Sequence, residues 1–470
     1  LLQGSFNVAI GRSALQAEDA HGRNVAIGYS ALATQNAGAD AHNVAIGFQA
    51  GLNVTTGTLN TLVGSSAGDS LTAGNHNTVL GYHALSSETL GDRNVAIGSN
   101  ALNAQNNTSD VDAYNVAVGY DASSNMSTGK FNTSLGGLAV GIGVATGDSN
   151  TALGYAAGQQ LTSAENNTLV GRAAGDALTT GSKNTAIGTF SLSAENAHGN
   201  NTAVGYAALF TLDAGAAGHN VAVGNDAGKL ISTGINNTII GGNAGDAINT
   251  GSQNVAVGKA SLSSATTASD NIGVGHGALS NLTTSTRNVA IGTQALNGAM
   301  NTNSTTYNVA VGYNAGKAIT TGTENTIIGG QAGDALTTGL SNTALGMRAL
   351  STDTTGRYSV AIGQGALENQ AFTGNNEVFN VAVGYQAGND ITTGIYNTLI
   401  GGKSGDSLTT GIGNVGVGLN TLATEDAHGR NTAVGTDVLQ TLNAGADAYN
   451  VAVGYQASKL MTTGVNNTII

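Results

Sequence analysis

Residues 24–32 read NVAIGYSAL, and close variants of this phrase return throughout the chain. The phrase appears as NVAIGSNAL at 94–102 and as NVAVGYQAG at 380–388. Aligned on its first residue, it has 27 register positions, from Asn7 to Asn467. Nineteen of the 26 gaps between them have the same length, and the others are longer by one to four residues. Self-similarity at a fixed short period is the signature of a repeat architecture, so one coil of about 17 residues is the unit of this chain.

Within the phrase, the spacing of apolar residues indicates a β-strand. Side chains alternate between the two faces of a strand, so Val25 and Ile27 share one face and Ala26 takes the other. We predict that Val25 and Ile27 point into the coil and that Ala26 points out. Gly28 then ends the strand at a bend, where a side chain is not tolerated. A second short extended piece is expected around residues 31–32, and a third before the Thr-Thr-Gly turn.

A coil of this size cannot bury its apolar side alone, but identical stacked coils can. The sequence therefore predicts an all-β fold, a parallel β-solenoid or β-roll of about 27 coils. The opening Asn is expected to stack as an amide ladder at one corner. We expect a single continuous repeat region over residues 1–470, as a segment of a longer fibre. The predicted repeat corners are represented by Asn24, Gly28, Asn43, Gly47, Asn184, Gly188, Asn380 and Gly384.

Six coils are lengthened by two to four residues, and each ends in an aromatic residue or His just before the next opening residue. The lengthened coils end before Asn43, Asn115, Asn220, Asn308, Asn380 and Asn450. Insertions in solenoids form loops on one face, and we expect variable contacts there.

Composition limits the classes of function. The 470 residues include 71 Gly, no Pro, no Cys and no Trp, and only 9% are charged. Absence of Pro fits a coil in which backbone groups pair on both sides. The net charge of −13 and the lack of a Lys/Arg cluster argue against binding to nucleic acid. The apolar runs are too short and too rich in Gly for insertion into a membrane.

The middle residue of the strand is usually Ala, but it becomes Leu or Ile in coils that contain NTIIG or a similar phrase. If this residue points outward, a lone coil stack would expose it to water. We therefore predict that this face is buried against another copy of the chain; burial inside a wider coil is the alternative. The candidate partner-face residues are Ala26, Leu62, Ile239, Ile327 and Leu399.

The NVAIG repeats resemble those in the heads of trimeric autotransporter adhesins. The phrase NTAVGYAAL at 201–209, followed elsewhere by Thr-Thr-Gly, is also similar to β-solenoid repeats in bacteriophage tail fibres. The resemblance covers essentially the whole chain. It implies a homotrimeric fibre, although this repeat has a longer period than the usual adhesin-head repeat.

Three histidines and a set of recurring aspartates are the candidates for chemistry. His21, His198 and His428 each follow a Glu by three residues, but no second His stands at a ligand spacing. The Asp of the AGD[AS][LI] phrase, as at Asp69, does not recur in adjacent coils, so no calcium ladder is expected. We interpret the histidines as turn residues and the aspartates as solvated turn residues. The sequence predicts no catalytic residue, no cofactor and no metal site.

These observations favour a non-enzymatic structural fibre with the chain itself as partner. It is expected to be extracellular, on a cell surface or a virion, and to act as shaft and attachment surface through many weak contacts. Its receptor, protein or glycan, is not readable from the sequence. A self-assembling filament subunit is the alternative, and a fibre-borne glycan depolymerase is a minor one.

Overall fold

The computed structural model describes residues 4–19 and 21–470, and residues 1–3 and 20 of the predicted repeat region lie outside that part. The chain divides into two compact units, Leu1–Asn236 and Asn237–Ile470. Each unit is a parallel β-solenoid. Together the two units contain about 27 coils, and the coils have the lengths that the repeat predicts. Among the described residues, no helix is long and apolar enough to cross a lipid bilayer.

In the first unit the strands are β1 Val8–Ile10, β2 Val25–Ile27, β3 Val44–Ile46, β4 Thr61–Val63, β5 Thr78–Leu80, β6 Gly91–Asp92, β7 Val95–Ile97, β8 Val111–Asp112, β9 Val116–Val118, β10 Thr133–Leu135, β11 Thr151–Leu153, β12 Thr168–Val170, β13 Thr185–Ile187, β14 Thr202–Val204 and β15 Val221–Val223. Of these, β6 and β8 form a separate parallel pair.

In the second unit the strands are β16 Thr238–Ile240, β17 Val255–Val257, β18 Ile272–Val274, β19 Val289–Ile291, β20 Val309–Val311, β21 Thr326–Ile328, β22 Thr343–Leu345, β23 Val360–Ile362, β24 Val381–Val383, β25 Thr398–Ile400, β26 Val415–Val417, β27 Thr432–Val434, β28 Val451–Val453 and β29 Thr468–Ile469.

Each coil contributes one strand of the repeat phrase, and neighbouring coils pair in parallel without a shift. Between β2 and β3, for example, Val25 faces Val44 and Ala26 faces Ala45. The register stays constant even across lengthened coils such as this one, because a slip of one residue would turn every side chain of the strand to the opposite face.

The orientation of the strand residues is the reverse of the prediction. Ala26, Leu62, Ile239, Ile327 and Leu399 are all completely buried within a single chain. Val25 and Ile27, which we expected inside, are only half-buried and lie on the outer face of the coil. The prediction of a partner face at Ala26 and its equivalents is therefore wrong, and the alternative of burial inside the coil holds.

The physical reason is an exchange of volume inside the coil. Where the middle strand residue is Ala26, the residue six positions on is Leu32, and both are buried. Where it is Leu62, that position is Gly68, and a Cβ there would lie 3.0 Å from the Leu62 Cδ2. Ile239, Ile327 and Leu399 are paired in the same way with Gly245, Gly333 and Gly405. A bulky strand residue fills the room that glycine leaves, which keeps the interior packed.

Apart from the β6–β8 pair and a few isolated bridges, the remainder of each described coil consists of turns rather than a second and third strand. Ser30 and Leu32 have positive φ angles of 52° and 49°, so the expected extended piece around residues 31–32 is absent. The backbone still bonds between coils: the Leu32 N–H donates to the Ala50 carbonyl at 3.0 Å. Buried peptide groups in this part of the coil are therefore paired without a regular strand.

The repeat corners combine an amide ladder with a close backbone approach. The Asn24 Oδ1 accepts the backbone N–H of Asn43 at 3.0 Å, and the Asn184 and Asn380 Oδ1 atoms accept those of Asn201 and Asn397 at 3.0 and 2.9 Å. Gly28 has a φ of 142°, and a Cβ there would lie 2.2 Å from the Gly47 carbonyl oxygen. Gly47, Gly188 and Gly384 have φ angles of 143°, 136° and 141°. Such a φ favours glycine, and the contact leaves no room for a side chain.

Candidate interaction surfaces

The outer face of the strand sheet carries a continuous column of aliphatic side chains in each unit. The third residue of every three-residue strand is Ile, Val or Leu, and none is buried. Ile46, Leu80 and Ile291 are 38%, 49% and 41% exposed. The parallel register places each of these side chains directly beside the next, as Ile27 beside Ile46. Contiguous apolar surface of this kind is typical of an interface.

Aromatic side chains flank this aliphatic column. The residue after the corner glycine is often Tyr or Phe and is then exposed. These residues are Tyr29, Phe48, Tyr82, Tyr120, Tyr155, Tyr206, Tyr313, Tyr385 and Tyr455. Tyr29 and Phe48, in successive coils, stack with ring centroids 5.4 Å apart. Large amphipathic rings beside an aliphatic face add to the surface that a protein partner can bury.

Two lengthened coils, which end before Asn115 and Asn450, are each held by an arginine of the preceding coil. The Arg93 guanidinium lies over the Tyr114 ring at 5.4 Å and also pairs with Asp112. Both partners belong to the lengthened coil that ends before Asn115. Arg430 repeats the arrangement with Tyr449 and Asp447. Tyr114 and Tyr449, which mark these two lengthened coils in the sequence, are therefore part of a surface clamp.

One lengthened coil in the second unit borders an open groove of about 510 Å³. The groove is lined by Ala371, Phe372, Thr373, Asn375, Asn376, Glu377, Thr393, Ile395 and Tyr396. Tyr396 is 52% exposed and stacks on Phe379 with ring centroids 6.1 Å apart. An exposed ring beside several amide, hydroxyl and carboxylate groups is the composition of a polar ligand site with an apolar floor.

At one interior position of the coil, a buried polar side chain replaces the apolar one in some coils. Eleven residues after the opening Asn, most coils have Leu, Ile, Val or Met, as at Leu178 and Leu212. The same position is a fully or almost fully buried carboxylate at Glu18, Glu88, Glu195, Asp353 and Glu425. A buried charge is costly unless it is paired, so the partners of each carboxylate decide what it does.

In two of these coils the next coil supplies the partner. The Gln105 Nε2 donates to the Glu88 Oε2 at 2.9 Å, and the Gln370 Nε2 donates to the Asp353 Oδ2 at 2.6 Å. The Glu88 Oε1 also accepts the backbone N–H of Gly91 at 2.8 Å. These carboxylates are satisfied and bind successive coils together.

In the coils with the Glu-x-x-His phrase, no described side chain of the next coil donates a hydrogen bond to the carboxylate. The Glu195 Oε1 accepts the backbone N–H of His198 at 3.0 Å, but its Oε2 has no hydrogen-bond partner. The equivalent residue in the next coil is the apolar Leu212, which has nothing to donate. His198 takes the place of the turn glycine, because its carbonyl accepts the Asn184 Nδ2, as the Gly181 carbonyl accepts that of Asn167.

The structure brings two groups of three possible metal ligands together among the described residues. In each group the ligand atoms lie within 4.8 Å of one another: Glu18, Asp19 and His21 in one, and Glu195, His198 and Asp213 in the other. The sequence reading, which looked for a second His nearby, assigned His21 and His198 to turns and missed this. Asp213 belongs to the coil that follows the one containing Glu195 and His198, and stacking of the two coils makes it adjacent in space.

Burial changes the acidity of several carboxyl groups. Desolvation raises the pKa of Glu195 and of Glu425, while nearby backbone N–H groups and the imidazoles of His198 and His428 act in the opposite direction. The pKa of Asp69 is also raised by burial. The recurring AGD aspartate lies in a turn, as predicted, but it is half-buried rather than fully solvated.

No protein-family model matches the chain, and no curated protein is significantly similar to it.

Proposed function

We propose that this chain is a non-enzymatic extracellular fibre, borne on a cell surface or a virion like an adhesin head or a phage tail fibre. We further propose that it assembles as a homotrimer and offers attachment sites along its coils.

The aliphatic column on the outer face of the strands is the observation that carries the proposal. The buried middle residues, such as Ala26, already fill the interior of the coil. Ile27 and its equivalents therefore do not contribute to the core of a single chain. Burial of apolar surface contributes roughly 25 cal/mol per Å², so a continuous aliphatic column favours association strongly. A face that repeats in every coil can pack against the same face of an identical chain, because the spacing between coils is the same in both chains.

Attachment is assigned to a groove beside one of the lengthened coils. The groove at Tyr396 lies beside the coil that ends before Asn380, and it combines an exposed ring with Asn375, Asn376 and Glu377. Carbohydrates are recognised by aromatic faces and by planar polar side chains, so a glycan is the ligand class that this groove fits best. Repetition of weak sites along a fibre raises the overall binding strength.

The assembly is tested by light scattering on the purified chain after size-exclusion chromatography. A mass of three times the 46.2 kDa protomer is expected. A monomer at micromolar concentration would contradict the fibre assembly, and open-ended polymers would favour a filament subunit instead.

Attachment is tested on a glycan array with the intact chain and with Tyr396→Ala. The variant should lose binding to the glycans that the intact chain captures. Tyr449→Ala is the matched control, because Tyr449 also stands just before an opening Asn but does not line the groove. Equal loss in both variants would contradict assignment of the attachment site to this groove.

A further inference from the structure

We propose that Glu195, His198 and Asp213 form a binding site for a divalent transition-metal ion such as Zn²⁺, which ties the coil of Glu195 to the lengthened coil that follows it.

The first observation is the geometry of the three side chains. The His198 Nδ1 lies 3.3 Å from the Glu195 Oε1 and 4.0 Å from the Asp213 Oδ1. Ligands bound to Zn²⁺ at about 2.0–2.2 Å in a tetrahedron are separated from each other by roughly 3.3–3.6 Å. The His198–Glu195 separation is already in this range, and all three ligand atoms lie within 4.8 Å of one another. A small movement of the exposed Asp213 side chain would complete the set.

The second observation is independent of the cluster and concerns the interior of the coil. Glu195 is completely buried and its Oε2 has no hydrogen-bond partner, and the His198 Nδ1 also has none. Glu88, at the same coil position, is paired with Gln105, whereas the residue above Glu195 is Leu212. A cation at the mouth of the coil supplies the missing compensation for this carboxylate.

The ligand atoms are graded in their access to solvent. The Glu195 side chain is buried, that of His198 is 25% exposed, and that of Asp213 is 62% exposed. An ion can thus enter from the side of Asp213 and reach an anchored carboxylate below. Water molecules can complete the coordination on the open side, as in sites with three protein ligands.

The ligand set selects the class of metal. One imidazole nitrogen and two carboxylate oxygens suit Zn²⁺ and its neighbours in the first transition row. Ca²⁺ takes six to eight oxygen ligands, and Mg²⁺ keeps most of its water, so neither is favoured by a site containing an imidazole.

The backbone around the ligands is already fixed. The His198 carbonyl accepts the Asn184 Nδ2 at 3.1 Å, so the histidine is attached to the corner ladder. Asp213 lies in the lengthened coil that ends before Asn220, and its backbone N–H donates to the Ser232 carbonyl of the next coil at 2.8 Å. A bound ion would therefore hold the base of this lengthened coil against the coil below it.

The chain contains a natural comparison. Glu425 and His428 repeat the Glu-x-x-His phrase with their nearest ligand atoms 3.6 Å apart, but the residue corresponding to Asp213 is Asn443. An amide is a much weaker ligand for Zn²⁺ than a carboxylate. The structure assigns the third ligand, and hence the metal site, to the copy at Glu195.

The test is calorimetric titration of ZnCl₂ into the intact chain after treatment with a chelator, with Asp213→Asn and Glu195→Gln beside it. The intact chain should bind Zn²⁺, and each variant should lose one equivalent or bind it at least 10-fold more weakly. Asp213→Asn copies the residue at Asn443 and changes an exposed side chain, so this variant is expected to fold. Far-ultraviolet circular dichroism verifies that it does.

Asn443→Asp is the converse variant and should add one equivalent of Zn²⁺ at Glu425 and His428. Absence of Zn²⁺ binding by the intact chain overturns the proposal. So does binding with unchanged stoichiometry and unchanged affinity in Asp213→Asn and Glu195→Gln, since the ion would then occupy another place such as Glu18, Asp19 and His21.

Discussion

The side-chain oxygen of Asn60 accepts the backbone N–H of Asn77 at 2.9 Å, while its amide donates to the Gly74 carbonyl at 2.8 Å. One buried side chain thus joins a coil to the next coil and closes its own turn. The same pair of bonds recurs along the ladder, as at Asn325 and Asn397.

Replacement of a ladder residue should therefore destabilise the chain. Asn60→Ala leaves a backbone N–H and a carbonyl unpaired in a buried position, which costs about 2–4 kcal/mol in the free energy of unfolding. Urea denaturation followed by circular dichroism measures the loss. Asn53→Ala is the control, because Asn53 is exposed. Similar losses for the two variants would show that the ladder adds no specific stability.

The corner glycine should be equally intolerant of change. Gly47 has a φ of 143°, and a Cβ there would lie 2.3 Å from the Gly64 carbonyl oxygen. Gly47→Ala is expected to cost roughly 3–5 kcal/mol through backbone strain and displacement of the next coil. Gly330→Ala provides the comparison, because a Cβ at Gly330 meets no atom within 4 Å. The melting temperature of Gly330→Ala should stay within about 1 °C of that of the unchanged chain, and an equal drop in both variants would contradict the role of the contact.

The architecture could be predicted from the sequence because period and register are properties of spacing alone. Asn24 and Gly28 recur with few exceptions, and a solenoid of about 27 coils is the simplest fold that accommodates them. The direction in which the strand faces could not be predicted from Val25, Ala26 and Ile27, since alternation assigns two faces but does not say which one is inside.

The missing information was in the partner positions across the coil. In one coil the middle strand residue is Ala26 and the residue six positions on is Leu32. In another coil the same two positions are Leu62 and Gly68. This compensation in side-chain volume shows that the middle strand residue points into the coil. The Glu195 group was missed for a related reason: its ligands come from two coils, and contacts between coils become visible only when the sequence is folded at its period. Neither kind of contact lies within the span of a local motif.

Two neighbouring isoleucines separate the interior of the coil from its outer face. Ile327 is completely buried and Ile328 is 36% exposed. Ile327→Ala should lower the free energy of unfolding by about 2–4 kcal/mol because it leaves a cavity. Ile328→Lys should leave the coil folded but weaken the proposed association between chains, since it places a charge in an apolar interface.

Sedimentation equilibrium and thermal melting together distinguish the two effects. The double variant Ile291→Lys and Ile328→Lys should sediment as a monomer, whereas Thr321→Lys, in an exposed turn, should behave like the unchanged chain. If the double variant keeps the mass of the unchanged chain, the aliphatic column is not the interface.

The buried carboxylate of Glu425 gives a prediction about pH. The equivalent residue in the next coil is Leu442, which has no hydrogen-bonding side chain. Burial raises the pKa of Glu425, and nearby groups including the His428 imidazole lower it only in part. The folded chain therefore holds this proton at a higher pH than the unfolded chain does. Stability contributed by the protonated group is lost as pH rises through the folded pKa, and the destabilisation is complete above it.

Glu425→Leu should accordingly raise the melting temperature at pH 7–8, on the order of 1–3 °C, and by less as pH approaches 4. Leu already occupies this coil position at Leu408 and Leu442, so the side chain fits the interior. Glu88→Leu should have the opposite effect, because it leaves the Gln105 and Asn107 amides without their buried acceptor. Scanning calorimetry from pH 4 to pH 8 on both variants measures the difference. Two outcomes would refute the idea that the Glu88 carboxylate has hydrogen-bond donors from the next coil and the Glu425 carboxylate has none: a higher melting temperature for Glu88→Leu, or an effect of Glu425→Leu that does not depend on pH.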